Sequence, residues 1–133
     1  MSLVELCAAI DIPAKIDTSG AAVGDLWRAG EYQKILDYVD QDVAGTYLLW
    51  LHWIAFQKGD EKLLSLPLAE LAAWIESNPI LAHLKPFVEC RPARLARARA
   101  PALRAQAALA DAERRIALDR DEAAFAMSEG SPF

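Results

Sequence analysis

A tyrosine and an aspartate lie one helical turn apart near the middle of the chain, at Tyr38 and Asp42. Residues i and i+4 share one helix face, so the phenol and the carboxylate point the same way. A carboxylate can bind a hard divalent cation such as Mg²⁺ or Mn²⁺, and a phenol can orient the water that the cation activates. Two-metal phosphodiester hydrolysis needs several more carboxylates. The same spacing also occurs by chance, so an ordinary surface pair stays open.

A long helix must carry this pair. The spacing of apolar residues predicts such a helix from about Glu31 to Gln57, with Gly59 beyond its end. Seven apolar residues recur at i, i+3 and i+4 spacing and predict the buried stripe: Ile35, Leu36, Val39, Val43, Tyr47, Trp50 and Ile54. On this prediction Val39 and Val43 face inward, whereas Asp37 and Asp40 face water. Gly45 inside the helix weakens it by roughly 1 kcal/mol relative to Ala, which suggests close packing against another element.

The rest of the first 89 residues also shows a helical period, and no segment predicts a strand. We expect helices ending before Pro13 and at Gly30, a polar turn at residues 15–20, and helices in which Pro67 and Pro79 occupy the first turn. Ser19 and Asn78 are the expected N-caps. The four tryptophans fall at helical spacings that indicate core or interface positions. His52 and His83 are isolated on apolar helices, so packing explains them better than metal binding.

Charge and composition divide the chain near residue 90. Residues 1–89 carry 6 basic and 13 acidic side chains, whereas residues 90–133 carry 8 arginines, 6 acids and 14 alanines. We therefore predict a helical body at 1–89 and an Ala/Arg-rich helical or disordered extension at 90–133. The arginines from Arg91 to Arg104 could touch phosphates, although a solvated helix or tail explains them more simply.

Several classes of protein are disfavoured by the composition. The net charge of −5 argues against coating nucleic acid through charge alone. Two cysteines, 83 residues apart, form neither a zinc pattern nor a disulfide framework, so a reducing cytoplasm is the expected compartment. The longest apolar run, from Val43 to Phe56, is too short and too polar to span a bilayer, and we expect no membrane partner. The first residues lack the positive region of a signal peptide.

Beyond the pair itself, the chain resembles a known family from about residue 3 to residue 88. The segment from Gly20 to Gly59 is similar to the third motif region of DEDD 3′–5′ exonucleases, most closely the predicted exonucleases related to the proofreading domain of family B DNA polymerases. The resemblance rests on these residues: Val23, Leu26, Trp27, Gly30, Ile35, Tyr38, Asp42, Val43, Thr46, Tyr47, Leu49 and Leu51. The segment "LCAAIDIPAKID" also resembles the helix and turn that precede this motif.

This resemblance implies a fold, a reaction and a role for each residue of the pair. The family fold is ribonuclease H-like, with a mixed sheet flanked by helices. Four carboxylates hold two metal ions, Mg²⁺ or Mn²⁺, at the 3′ end of a DNA or RNA strand. Asp42 corresponds to the last of these metal ligands, and Tyr38 corresponds to the tyrosine that positions the attacking water.

The chain also departs from the family pattern in ways that affect the predicted activity. The family's first motif is Asp-x-Glu on a strand, and no Asp-x-Glu occurs among the 37 residues before Tyr38. We therefore expect a mainly α chain that corresponds to the C-terminal helical portion of an α/β ribonuclease H-like exonuclease domain. Such a chain is expected to be inactive alone. The alternative is a small helical interaction module that binds a partner, or its own copy, through an exposed apolar face.

Overall fold

The computed structural model describes residues 2–14 and 19–130, and these residues form helices and no strand. The α-helices are α1 (Leu3–Ala9), α2 (Val23–Arg28), α3 (Tyr32–Lys58), α4 (Lys62–Ser77), α5 (Lys85–Glu89) and α6 (Arg91–Glu129). Two short 3-10 helices, Gly20–Ala22 and Pro79–Leu84, precede α2 and α5. The mainly α prediction is confirmed, and the ribonuclease H-like relationship stays a prediction. Most of the polar turn expected at residues 15–20 lies outside the described residues.

Local sequence explains where the two best-defined helix ends lie. Ser2 and Glu5 form a capping box at the start of α1, in which each side chain accepts a hydrogen bond from the other's backbone N–H. The backbone hydrogen bond from Ser2 holds the pKa of the Glu5 carboxyl below its ordinary value. α3 ends at Lys58 because Gly59 adopts the left-handed conformation, with φ of 61°. The observed helix therefore differs from the predicted one by a single residue at each end.

Three predicted caps and first turns differ in the structure. Pro67 lies inside α4, not in its first turn, because the helix begins five residues earlier at Lys62. Asn78 occupies the N-cap position of the 3-10 helix Pro79–Leu84, with Pro79 in the first turn as predicted, but its side chain makes no cap hydrogen bond there. Its amide donates instead to the Trp74 carbonyl oxygen of α4 at 2.7 Å. Ser19 makes no side-chain cap hydrogen bond to the 3-10 helix that follows it.

The core lies where α3 and α4 pack against each other and against the shorter helices. Leu48 and Leu51 of α3, Leu68 of α4 and Phe87 of α5 are almost completely buried, and Cys7 of α1 joins them. Burial raises the pKa of the Cys7 thiol. Burying an apolar side chain of this size contributes roughly 1.5–3 kcal/mol to the stability of the fold.

The predicted orientation of α3 is wrong. The residues it buries are Gln41, Ala44, Gly45, Leu48, Leu51 and Ala55. Val39 and Val43, expected to face inward, are 47% and 63% exposed. The buried face carries small residues because the neighbouring backbone is close: a Cβ atom built on Gly45 would lie 3.7 Å from the Pro13 carbonyl oxygen. The close packing expected at Gly45 is therefore confirmed.

The tryptophans are also outside the core. Trp27, Trp50, Trp53 and Trp74 are each more than half exposed. Helical spacing shows which apolar residues share a helix face with each tryptophan. It does not show whether another helix packs on that face. None of the four is therefore a core residue within the described part of the chain.

The compact unit that contains α3 continues through Ala100, beyond the compositional boundary near residue 90. It does so because Ala93, Ala96 and Ala100, on one face of α6, are buried. A second unit begins at Pro101, where α6 continues as helix to Glu129, and the side chains of residues 111–128 are exposed. Across the described ranges, no helix combines the length and hydrophobicity needed to cross a bilayer.

Candidate functional site

Tyr38 and Asp42 lie one turn apart on α3, and their side chains meet. The Asp42 carboxylate is placed to accept a hydrogen bond from the Tyr38 hydroxyl, which raises the pKa of Tyr38 above its ordinary value. Desolvation and the negative charge of Asp42 raise it further. Since an unperturbed tyrosine already titrates near pH 10, Tyr38 is a neutral hydrogen-bond donor at neutral pH.

The Tyr38 hydroxyl faces the segment before α2. A Cβ atom built on Gly20 would lie 3.2 Å from the Tyr38 oxygen, so a larger residue at that position would displace the phenol. Tyr38 also lines an open cavity of about 580 Å³, whose walls are Ser19, Ala22, Leu26, Lys34, Asp37, Tyr38, Gln41 and His83. This cavity places polar groups beside the phenol.

Asp42 borders a different and much smaller space. It is half-buried and lines a crevice of about 20 Å³ between α1 and α3, together with Cys7, Gln41 and Gly45. The Asp42 carboxylate is therefore held between α1 and α3, while the phenol bonded to it borders the large cavity. The pair therefore lies between two spaces: Tyr38 borders the open cavity, and Asp42 borders the narrow crevice.

Asp37 and Asp40 were predicted to face water, but in the structure His83 lies between them. The His83 Nε2 atom is 2.9 Å from Asp40 Oδ2, and its Nδ1 atom is 3.8 Å from Asp37 Oδ1. The His83 side chain is only 16% exposed. The contact joins α3 to the 3-10 helix Pro79–Leu84 across 43 residues of sequence. No local pattern could have predicted it.

Gln41, between Asp40 and Asp42, is the other residue that the sequence did not single out. It is 6% exposed, and its Oε1 atom has no hydrogen-bond partner among the described residues. The spacing did contain a clue, because Gln41 shares a face with Ala44, Gly45 and Leu48 at i+3, i+4 and i+7. That face carries small residues, which suit close contact between helices.

The described residues do not by themselves fit the pair of metal ions that the resemblance implies. Residues 2–14 and 19–130 contain no cluster of three or more His, Cys, Asp or Glu side chains that could hold a cation. Asp42 supplies one carboxylate, and its visible partner is a phenol. Two ions need several oxygen ligands each, so no catalytic step through a metal follows from these residues alone.

The isolated histidine His52 and the arginine run have structural partners. The His52 Nδ1 atom lies 2.8 Å from the Leu48 carbonyl oxygen of the same helix. Three arginines at the start of α6 pair with acids of the helical body: Arg91 with Asp11, Arg97 with Glu76, and Arg99 with Glu61. These pairs connect the start of α6 to the body.

The region that contains the pair matches a known protein family. Residues 1–90 match the model of a family described as a predicted 3′–5′ exonuclease related to the exonuclease domain of PolB. The match covers more than two thirds of the chain, includes both Tyr38 and Asp42, and ends where α6 begins. No curated protein and no solved structure matches the chain significantly.

Proposed function

Because the chain belongs to the family of predicted 3′–5′ exonucleases related to the exonuclease domain of PolB, we propose that it supplies Tyr38 and Asp42 to a centre that hydrolyses phosphodiester bonds at nucleic-acid 3′ ends. One observation carries this proposal: the phenol and the carboxylate lie one turn apart on α3, close enough for Asp42 to raise the pKa of Tyr38, within the region that the family model matches. Their spacing alone would not have distinguished a functional pair from two surface residues.

The chemistry of the pair supports an orienting role for Tyr38. A phenol whose pKa is raised cannot act as a base at neutral pH, but it can donate a hydrogen bond to water or to a phosphate oxygen. Asp42 is a suitable oxygen ligand for Mg²⁺ or Mn²⁺, the cofactors that the resemblance implies. Its half-buried position would hold that oxygen in a fixed place, which a catalytic site requires.

The proposed centre is incomplete without further carboxylates. Asp42 has no group of acidic neighbours within the described residues, so a further polypeptide segment must bring the remaining metal ligands. In this proposal the chain acts as the C-terminal helical part of an exonuclease domain and is inactive alone. Its substrate is the 3′ end of a nucleic-acid strand, which the completed domain binds.

The test compares the chain alone with a protein in which the sequence encoded immediately upstream precedes it. With Mg²⁺ or Mn²⁺ present, we expect the chain alone to release no nucleotides from a labelled 3′ end, and the longer protein to release them. In the longer protein, Asp42→Ala should weaken metal binding and abolish release. Tyr38→Phe should slow release, without weakening metal binding or unfolding the protein.

Asp40→Ala is the matched control, because Asp40 lies on the same helix but bonds to His83 instead of Tyr38. We expect this variant to retain most of the release rate. Full activity of Asp42→Ala combined with loss of activity in Asp40→Ala would refute the assignment of the pair. Metal-dependent release by the chain alone, abolished by Asp42→Asn, would instead refute the proposed incompleteness.

A second candidate function is supported by the exposed face of α3. Val43, at the middle of this face, is 63% exposed, and Trp50 is 53% exposed. Contiguous apolar surface of this kind marks interaction sites in soluble proteins. The alternative proposal is therefore a helical module that binds a partner or its own copy, with or without hydrolysis.

A further inference from the structure

The outer face of α3 carries a continuous apolar row, which we call the α3 stripe. It consists of Tyr32, Leu36, Val39, Val43, Tyr47, Trp50 and Ile54. Six of the seven are between 37% and 63% exposed, and Ile54 is half-buried. The row itself contains no charged residue, and Asp40 lies beside it, in the groove that Val43 and Tyr47 line. Within the part of the chain that the structure describes, this helix therefore packs through one face and leaves an apolar face uncovered.

The spacing within the stripe is symmetric about Val43. The intervals are 4, 3, 4, 4, 3 and 4 residues, which is the same series in both directions. A twofold axis through Val43 would therefore set Val39 against Tyr47 of a second copy, and Leu36 against Trp50. The outermost pair would be Tyr32 and Ile54. Every pair off the axis joins one aromatic side chain to one aliphatic side chain.

This size matching distinguishes an antiparallel pair of helices from a parallel one. Parallel helices in register would place Trp50 on Trp50 and Val39 on Val39, which crowds one level and leaves a gap at another. Interfaces pack as densely as protein interiors, so alternating large and small partners are favoured. Antiparallel helices also align their dipoles favourably.

The exposed area is sufficient for a stable interface. Trp74 of α4 borders the stripe across a groove of about 280 Å³ that Val43 and Tyr47 also line. With Trp74 included, eight side chains that are about half exposed offer on the order of 700 Å² per copy, close to the roughly 800 Å² that each partner buries in a standard interface. We propose that two copies of this chain pair through the α3 stripe, with antiparallel α3 helices and a twofold axis at Val43.

The inference is independent of the nuclease proposal, because the axis lies at Val43 and needs neither the Tyr38 hydroxyl nor the Asp42 carboxylate. The first test is sedimentation equilibrium of the full chain. We expect a monomer–dimer equilibrium that Val43→Glu weakens at least ~100-fold, because two like charges would face each other without water. Ile80→Glu is the matched control: Ile80 is 87% exposed and lies outside the stripe, so this variant should dimerise normally.

Circular dichroism should show that both variants keep their helices, since both positions are solvent-exposed. The geometry is then tested by disulfide trapping in a Cys90→Ser background, with Cys7 buried in the core. Val43→Cys should form a covalent dimer on mild oxidation, because a residue on the axis meets its own copy. Leu36→Cys alone should not, whereas Leu36→Cys with Trp50→Cys should form a 36–50 link that peptide mass spectrometry identifies.

Three results would overturn the inference. The chain could sediment as a monomer at high concentration, which would leave the stripe to a different partner. Val43→Glu and Ile80→Glu could associate equally, which would place the interface elsewhere. Leu36→Cys could link efficiently to itself, which would indicate parallel helices and remove the twofold axis at Val43.

Discussion

Replacing Gln41 with leucine should stabilise the protein. Gln41 is 6% exposed, and its side-chain carbonyl oxygen accepts no hydrogen bond within the described residues. A buried acceptor without a partner costs about 1–3 kcal/mol, because it loses hydrogen bonds to water and gains none. Leucine has a similar volume and removes this cost. We expect Gln41→Leu to raise the free energy of unfolding by about 1–3 kcal/mol.

The measurement is equilibrium unfolding in urea, followed by far-ultraviolet circular dichroism and by tryptophan fluorescence. Coincident transitions would establish two-state behaviour, and an unchanged m-value would show that only stability has changed. All variants should carry Val43→Glu, because self-association would otherwise add a concentration-dependent term. Gln41→Glu is the informative control, since a carboxylate buried at this position should destabilise the fold.

One outcome would refute this reasoning directly. If Gln41→Leu left the free energy of unfolding unchanged or lowered it, the carboxamide must be hydrogen-bonded in solution. The crevice of about 20 Å³ that Gln41 lines beside Asp42 is large enough to hold one water molecule, which could supply such a bond.

The remaining predictions concern α3 and the glycine that ends it. Asp42→Asn should lower the pKa of Tyr38 towards its ordinary value, because the amide removes the negative charge and weakens the hydrogen bond. Ultraviolet titration of the phenolate, with Tyr38→Phe subtracted, measures this shift, and an unchanged titration would contradict the bond. Because folding raises this pKa, the stability that it contributes is fully present below the unfolded pKa, near 10, and is lost as pH rises through the folded value. Gly45→Ala should raise the free energy of unfolding by roughly 0.5–1 kcal/mol, since the new Cβ would lie at an ordinary 3.7 Å from the Pro13 carbonyl oxygen. Gly59→Ala should lower the free energy of unfolding, because φ at Gly59 is 61° and alanine adopts that conformation only with strain. Equal effects of the two glycine substitutions in urea titrations would contradict this prediction.

The sequence determined the bounds of α3 and the shared face of Tyr38 and Asp42. Apolar periodicity and the two glycines Gly30 and Gly59 located α3 to within a residue at each end, because helix formation and termination depend on local backbone preferences. The four-residue spacing of Tyr38 and Asp42 placed them on one face, because an α-helix repeats every 3.6 residues or so. The family resemblance also came from the sequence alone, and the match to residues 1–90 confirms it.

Only the tertiary structure decided which face of α3 is covered. Periodicity identifies an apolar face, but it carries no information about whether another element packs there. The larger apolar row, centred on Val43, looked like the core face, whereas the body packs on the face of Ala44 and Gly45. Small side chains let neighbouring backbones approach, so this face has the closer packing although it looks less hydrophobic in the sequence.

The surroundings of the pair were also decided by tertiary structure. The contact of His83 with Asp40 joins residues 43 positions apart, and the burial of Gln41 depends on α1 and α3 meeting. Both arise when separate helices pack. The spacing along α3 gave no sign of the His83 contact, and for Gln41 it gave only the face shared with Ala44 and Gly45. The sequence thus specified the phenol and the carboxylate, while the packing of the helices placed one beside an open cavity and the other in a narrow crevice.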